Sequence, residues 1–209
     1  MKRALIFVLV LTFVIMSGSA FAQTRLPQKE IFLGGAVPLS PDGFKDYFQT
    51  GLSMHGQYVI FPMNNIGVSF GAAFEFFLFD GDKWLEDAEL DGMGYDATGH
   101  LTVLELGVGL RPYLTPATAS SQIFLFGMPT LNFISEKETY TDEVYDEEYE
   151  YTGDDSNFGF AIGGGIEMPA GSVNIILQGI YRSILDYKPD EGSEGNDLSF
   201  VGITAGIVF

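Results

Sequence analysis

The sequence predicts an all-β fold: an eight-stranded antiparallel transmembrane β-barrel with short periplasmic turns and long acidic extracellular loops. Three observations carry this. Eight segments alternate large apolar residues with small or polar ones, the connections between them run alternately long and short, and the acidic residues collect in the long ones.

The N-terminus predicts export. Lys2 and Arg3 precede an apolar run from Ala4 to Met16, followed by small residues ending Ala20-Phe21-Ala22. This is the layout of a secretory signal over residues 1–22, cleaved between Ala22 and Gln23. The apolar run is too short for a spanning helix, which needs about 20 residues. Residues 23–209 then form one domain, with no Pro/Ser-rich linker inside it. The chain has no cysteine, which excludes a lipoprotein and any disulfide, so the fold must hold by strand pairing and packing.

Candidate strands occupy 29–38, 48–61, 66–79, 99–114, 122–135, 157–168, 172–186 and 198–209. Each shows the period of two expected when successive side chains point to opposite faces. In the third, Ile66, Val68, Phe70, Ala72, Phe74, Phe76 and Leu78 share one face, while Gly67, Ser69, Gly71, Ala73 and Glu75 share the other. A strand of about 12 residues, rising ~3.3 Å per residue and tilted ~40°, spans roughly the hydrocarbon thickness. Soluble strands are usually about 5 to 6 residues long. Pro129 falls inside the fifth strand, and a bulge or a shifted boundary is expected there, because a closed barrel offers no edge to host a proline.

The short connections are 62–65, 115–121 and 169–171, and the long ones are 39–47, 80–98, 136–156 and 187–197. With both termini in the periplasm, all four long loops emerge on the far side. They hold 23 of the 28 acidic residues and a net charge of −19, leaving a net −1 for the rest of the mature chain. Ions at mid-bilayer cost several kcal/mol, so charge sorted this way marks where lipid lies. A soluble barrel with an apolar interior would instead turn the glycine-rich face to water, and that face carries too few charges for a soluble surface. Phe48, Phe61, Phe79, Tyr113, Phe158 and Tyr187, near strand ends, are expected to form an interfacial aromatic girdle.

Together these segments resemble the small OmpA/OmpX-type outer-membrane barrels over essentially the whole mature chain. The sharpest element is the C-terminal run Val201, Ile203, Ala205, Ile207 and Phe209, which is similar to the terminal aromatic signal read by the barrel-assembly machinery. The resemblance implies residence in the outer membrane among lipid and lipopolysaccharide.

If the apolar face meets lipid, parity sends Glu30, His55, Gln57, Glu75, Glu105, Arg111, Glu167, Asn174, Gln178 and Arg182 into the lumen. An eight-stranded interior is just wide enough for side chains to fill it. The expected arrangement is a buried network in which Arg111 and Arg182 bridge glutamates. The alternative is a small gated pore past the same carboxylates.

Catalysis is not expected. Some barrels of this size modify lipid A with a rim serine and histidine, but here His100 is followed by Thr102 and Glu105. Glycine runs such as 163–165 open no helix, which excludes a nucleotide loop. The net charge of about −20 in the mature chain repels nucleic acid. The run from Asp142 to Tyr151 crowds Asp142, Glu143, Asp146, Glu147, Glu148 and Glu150 among tyrosines. Their repulsion is expected to keep the loop extended and mobile. No cofactor is expected beyond weak Ca²⁺ or Mg²⁺ at these acids, without EF-hand spacing. Neutralised, the tyrosines would present a sticky surface to an extracellular protein. The function expected is a structural or surface-interaction role in the envelope.

Overall fold

The computed structural model describes residues 25–142, 144–188 and 195–209, so the expected signal segment and Glu143 lie outside the described residues. Eight strands form: β1 (Gln28–Ser40), β2 (Gly51–Met63), β3 (Ile66–Leu78), β4 (Tyr95–Pro112), β5 (Gln122–Asp142), β6 (Glu147–Ala170), β7 (Val173–Tyr187) and β8 (Asn196–Val208). Each pairs antiparallel with the next, and β8 returns to β1 to close the barrel. Lys29 and Phe209 finish the seam by exchanging backbone hydrogen bonds of 3.1 and 3.0 Å. Within the closed ring each strand is paired on both sides, which is what a β-structure in a bilayer requires, whereas beyond the ring β6 from Glu147 to Phe158 pairs only with β5.

Alternation sets the two faces. Along β8, Val201, Ile203, Ala205, Ile207 and Phe209 point outward, while Gly202, Thr204 and Gly206 are buried inside. The lumen glycines make room for rings. A Cβ on Gly206 would run into the Phe32 ring, and one on Gly165 would stand 2.7 Å from the ring of Phe124.

Phe32, Val59, Phe61, Tyr113, Phe124 and Ile176 pack as one apolar layer at the periplasmic end, and Phe44, Phe48, Phe77, Phe79, Leu198 and Phe200 as another at the extracellular end. This corrects the expected girdle. Phe48, Phe61, Phe79, Tyr113 and Tyr187 are buried inside the barrel, and of that set only Phe158 faces outward. Their positions near strand ends are as expected, but Phe61, Phe79 and Tyr113 share the parity of the lumen residues on their strands, Tyr187 turns inward past a register shift between Ile184 and Tyr187, and Phe48 lies before β2 begins.

Two further expectations are corrected. Pro129 causes no bulge: β5 keeps one register with β6 from Gln122↔Glu167 to Asp142↔Glu147, with Pro129 opposite Phe160. On the β4 side the pairing pauses between Gly107↔Thr130 and Leu110↔Gly127 and resumes in the same register. The missing N–H is therefore tolerated by a gap in one ladder. The connection 136–156 is also not an extended coil. It is the continuation of β5 and β6 into a hairpin whose pairing reaches Asp142↔Glu147, and β4 joins it from Tyr95↔Asp142 onward. Most of the acids face a neutral residue across the hairpin, Glu138 opposite Tyr151, Glu150 opposite Thr139 and Glu148 opposite Thr141, and Lys137 pairs with Glu150, so backbone pairing outweighs the repulsion.

The remaining extracellular connections carry two short helices, α1 (Asp42–Tyr47) and α2 (Gly81–Asp87). The Asp80 carboxylate caps α2 by accepting from the Lys83 N–H at 3.3 Å. Both helices bury a hydrophobic anchor, Phe44 from α1 and Leu85 from α2, in the extracellular apolar layer.

Candidate functional site

The lumen holds its polar residues in tiers. Nearest the periplasm, Glu167 accepts from Arg25 (3.1 Å), Gln28 (3.1 Å) and Asn174 (2.6 Å). The Arg25 guanidinium lies 4.2 Å over Phe61 and 4.4 Å over Tyr113. Next, Arg111 donates to Glu30 at 2.6 Å and to Gln57 at 2.5 Å while covering the Phe124 ring at 4.4 Å. In the middle, His55 Nε2 shares a 2.6 Å hydrogen bond with Gln178 and its ring stacks on Phe32 at 4.3 Å. Towards the outside, Arg182 lies 3.1 Å from Glu75 and 3.3 Å from Glu105, and Ser53 donates to Glu75 at 3.0 Å.

Glu30, Glu75, Glu105, Arg111 and Arg182 are all at most 2% exposed. The bonds join residues distant in sequence across the barrel, and they interleave with the two apolar layers. Charges removed from water this completely require partners, and each arginine here has a carboxylate. Arg25 and Ser53 belong to this network although sequence reading did not single them out. Arg25 precedes the first strand, where alternation says nothing, and Ser53 is indistinguishable from any small lumen residue.

The His100, Thr102 and Glu105 combination is divided by the wall. His100 packs against Phe76 at 5.5 Å on the outside, Thr102 donates to the Ser135 carbonyl at 3.2 Å, and Glu105 is inside with Arg182. A nucleophile, base and acid need to converge, and a parity difference along one strand prevents it.

The acids of the hairpin are dispersed. Asp142 caps the tip by accepting from the Val144 and Tyr145 N–H groups at 2.9 and 3.1 Å. Asp146 lies at that tip with φ 55°. Glu147 accepts from the Tyr149 hydroxyl, Glu150 pairs with Lys137 at 2.7 Å, and Glu148 is exposed. Among the described residues no three acidic or histidine side chains converge as a metal-ligand group would.

The extracellular mouth is built from parts that alternation could not reveal. Trp84 of α2 packs on Tyr140 of the hairpin at 4.8 Å. The Tyr187 hydroxyl donates to Glu136 at 2.5 Å, and Tyr140 donates to Glu138. Burial, then the Glu136 carboxylate, raise the Tyr187 phenol well above its ordinary pKa of 10.0. Burial and the bond to Glu138 do the same to Tyr140. Between these groups and the apolar layer below lies a cavity of about 220 Å³. A larger, open hollow of about 560 Å³ lies on the outer face of the wall, lined by outward-facing Phe74, Leu104 and Phe133 together with Asp154 and Asp155.

No protein-family model and no curated protein matches the chain. Solved structures do. Neisserial surface protein A is similar at a TM-score of 0.56 and 10% identity, covering 87% of this chain and 95% of that one. The attachment invasion locus protein Ail of Yersinia pestis, crystallised with the heparin analogue sucrose octasulfate, gives 0.51 and 16% over 88% of this chain and all of that one. A major outer-membrane protein of Thermus thermophilus gives 0.50 and 15% over 88% and 100%. The shared property is the fold: a small outer-membrane β-barrel.

Proposed function

We propose that this outer-membrane β-barrel works through its extracellular surface, as a sealed and non-catalytic membrane anchor for an acidic hairpin and a helix-lined mouth. The observation that carries the reading is the filled lumen. Two apolar layers and the Arg111 and Arg182 tiers occupy the interior, which leaves the outer elements as the accessible chemistry. The wall between His100 and Glu105 supports a non-catalytic role in the same way.

The charge of the outer surface selects among partners. Ail is crystallised with a polysulfated sugar analogue. The long connections of this chain carry a net −19, so its surface repels such a polyanion and attracts basic protein surfaces and cations. The export signal at 1–22 and a terminal assembly signal ending in Phe209 belong to the same reading.

Planar-bilayer recording of the refolded protein tests the seal. The expected record has no unitary conductance steps. Reproducible steps that change with substitution at Glu75 or Arg182 would establish the pore alternative. Mass spectrometry of lipid A after overexpression separates the enzymatic alternative, and an altered acyl pattern would overturn the non-catalytic reading.

A further inference from the structure

The mouth cavity has the composition of a cation receptor. Tyr47, Trp84 and Tyr187 line it, and Phe44 and Phe48 line it from the apolar layer. Glu136 and Glu138 also line it, and among the described lining residues there is no lysine or arginine. Aromatic faces present negative quadrupole density, which attracts a cation that has shed part of its water. The carboxylates supply full charge beside those faces.

We propose that this cavity binds the ammonium group of a small organic amine, with the amine's hydrocarbon tail against the phenylalanines. Two features support this occupant over a purely apolar one. The two carboxylates are held by neutral hydroxyl donors, Tyr187 for Glu136 and Tyr140 for Glu138, so both are fixed at the cavity. The surrounding net −19 concentrates cations at the mouth before they bind. The volume suits a small molecule: about 220 Å³ holds a compact amine and excludes a folded domain.

The inference rests on the reading of the extracellular surface as the working part, and the two are separable by experiment. Trp84 is the only tryptophan of the chain and lines the cavity, so its fluorescence reports occupancy directly. The refolded barrel is titrated with butylammonium and, separately, with 1-butanol as a neutral probe of similar size. The expected result is a saturable change in Trp84 emission with butylammonium and none with butanol. Raising the ionic strength of the wild-type sample should weaken binding, a check that needs no variant. The double variant Glu136→Gln/Glu138→Gln, with its fold confirmed by an unchanged gel shift on heating, should bind at least about tenfold more weakly. Equal responses to butanol and butylammonium, salt-independent binding, or no saturable change in the wild type would each overturn the proposal. A barrel that conducts ions yet binds butylammonium would remove the sealed-anchor reading and leave this one standing, whereas a sealed barrel with a silent Trp84 would do the reverse.

Discussion

Replacing Arg182 with alanine removes the only cation within 4 Å of two buried glutamates among the described residues. Glu75 and Glu105 lie 3.1 and 3.3 Å from its guanidinium, and the three groups are at most 2% exposed. Breaking a buried pair by deleting one partner typically costs ~3 to 5 kcal/mol, because an uncompensated charge is left in a low dielectric. The guanidinium also lies 5.8 Å from the Phe200 ring, and the same substitution removes that attraction. For an unfolding slope of ~2 kcal/mol per M, the urea midpoint of the refolded barrel should fall by roughly 2 M. The triple variant Arg182→Met, Glu75→Gln, Glu105→Gln removes the whole charged set and should recover much of the loss, since replacing an entire buried ion group is often neutral. An unchanged midpoint in Arg182→Ala would refute the reasoning. The side chain would then be solvated, the lumen would hold water, and the pore reading would gain the support the seal now has.

Three other outcomes are expected. Gly81→Ala drives a Cβ into the Ala97 carbonyl oxygen, a backbone atom that cannot yield, so α2 should lift from β4 at a cost of ~1 to 3 kcal/mol, and Trp84 emission should shift to the red as its ring leaves Tyr140. Unshifted emission would show that the helix docks without this close approach. The raised Tyr187 and Tyr140 phenols mean that, above the ordinary tyrosine pKa of 10.0, the folded mouth binds protons the unfolded chain has released. Stability should therefore fall as pH rises beyond about 10, and less so in Tyr187→Phe; phenolate absorbance appearing in full before any unfolding would contradict this. Phe209→Ala keeps the backbone bonds to Lys29 that close the β1–β8 seam, so refolding in detergent should persist while accumulation in the outer membrane of cells falls, as gel heat-modifiability of membrane fractions would record. Equal accumulation would remove the assembly role of the terminal residue.

What the chain alone determined was everything governed by alternation and charge. The period of two, read without any structure, sends Glu30, Glu75, Glu105, Arg111 and Arg182 inward and Val201, Ile203 and Ile207 outward, because a side chain's face depends only on its place along the strand. The alternating connection lengths and the acidic loops likewise identify the side that faces away from the periplasm. Tertiary structure decided what depends on neighbours. It chose which carboxylate each arginine meets, a matter of register between strands distant in sequence, and it recruited Arg25 and Ser53. It turned Phe48 and Tyr187 inside rather than into a girdle, one ahead of β2 and the other past a register shift in β7, whereas Phe61, Phe79 and Tyr113 follow the parity of their strands into the two apolar layers. The acidic connection 136–156 became a paired hairpin because its backbone could extend ladders already begun in the wall. The mouth cavity was beyond the reach of periodicity, since Trp84, Tyr47, Glu138 and Tyr187 come from four separate elements that meet only once the barrel has closed.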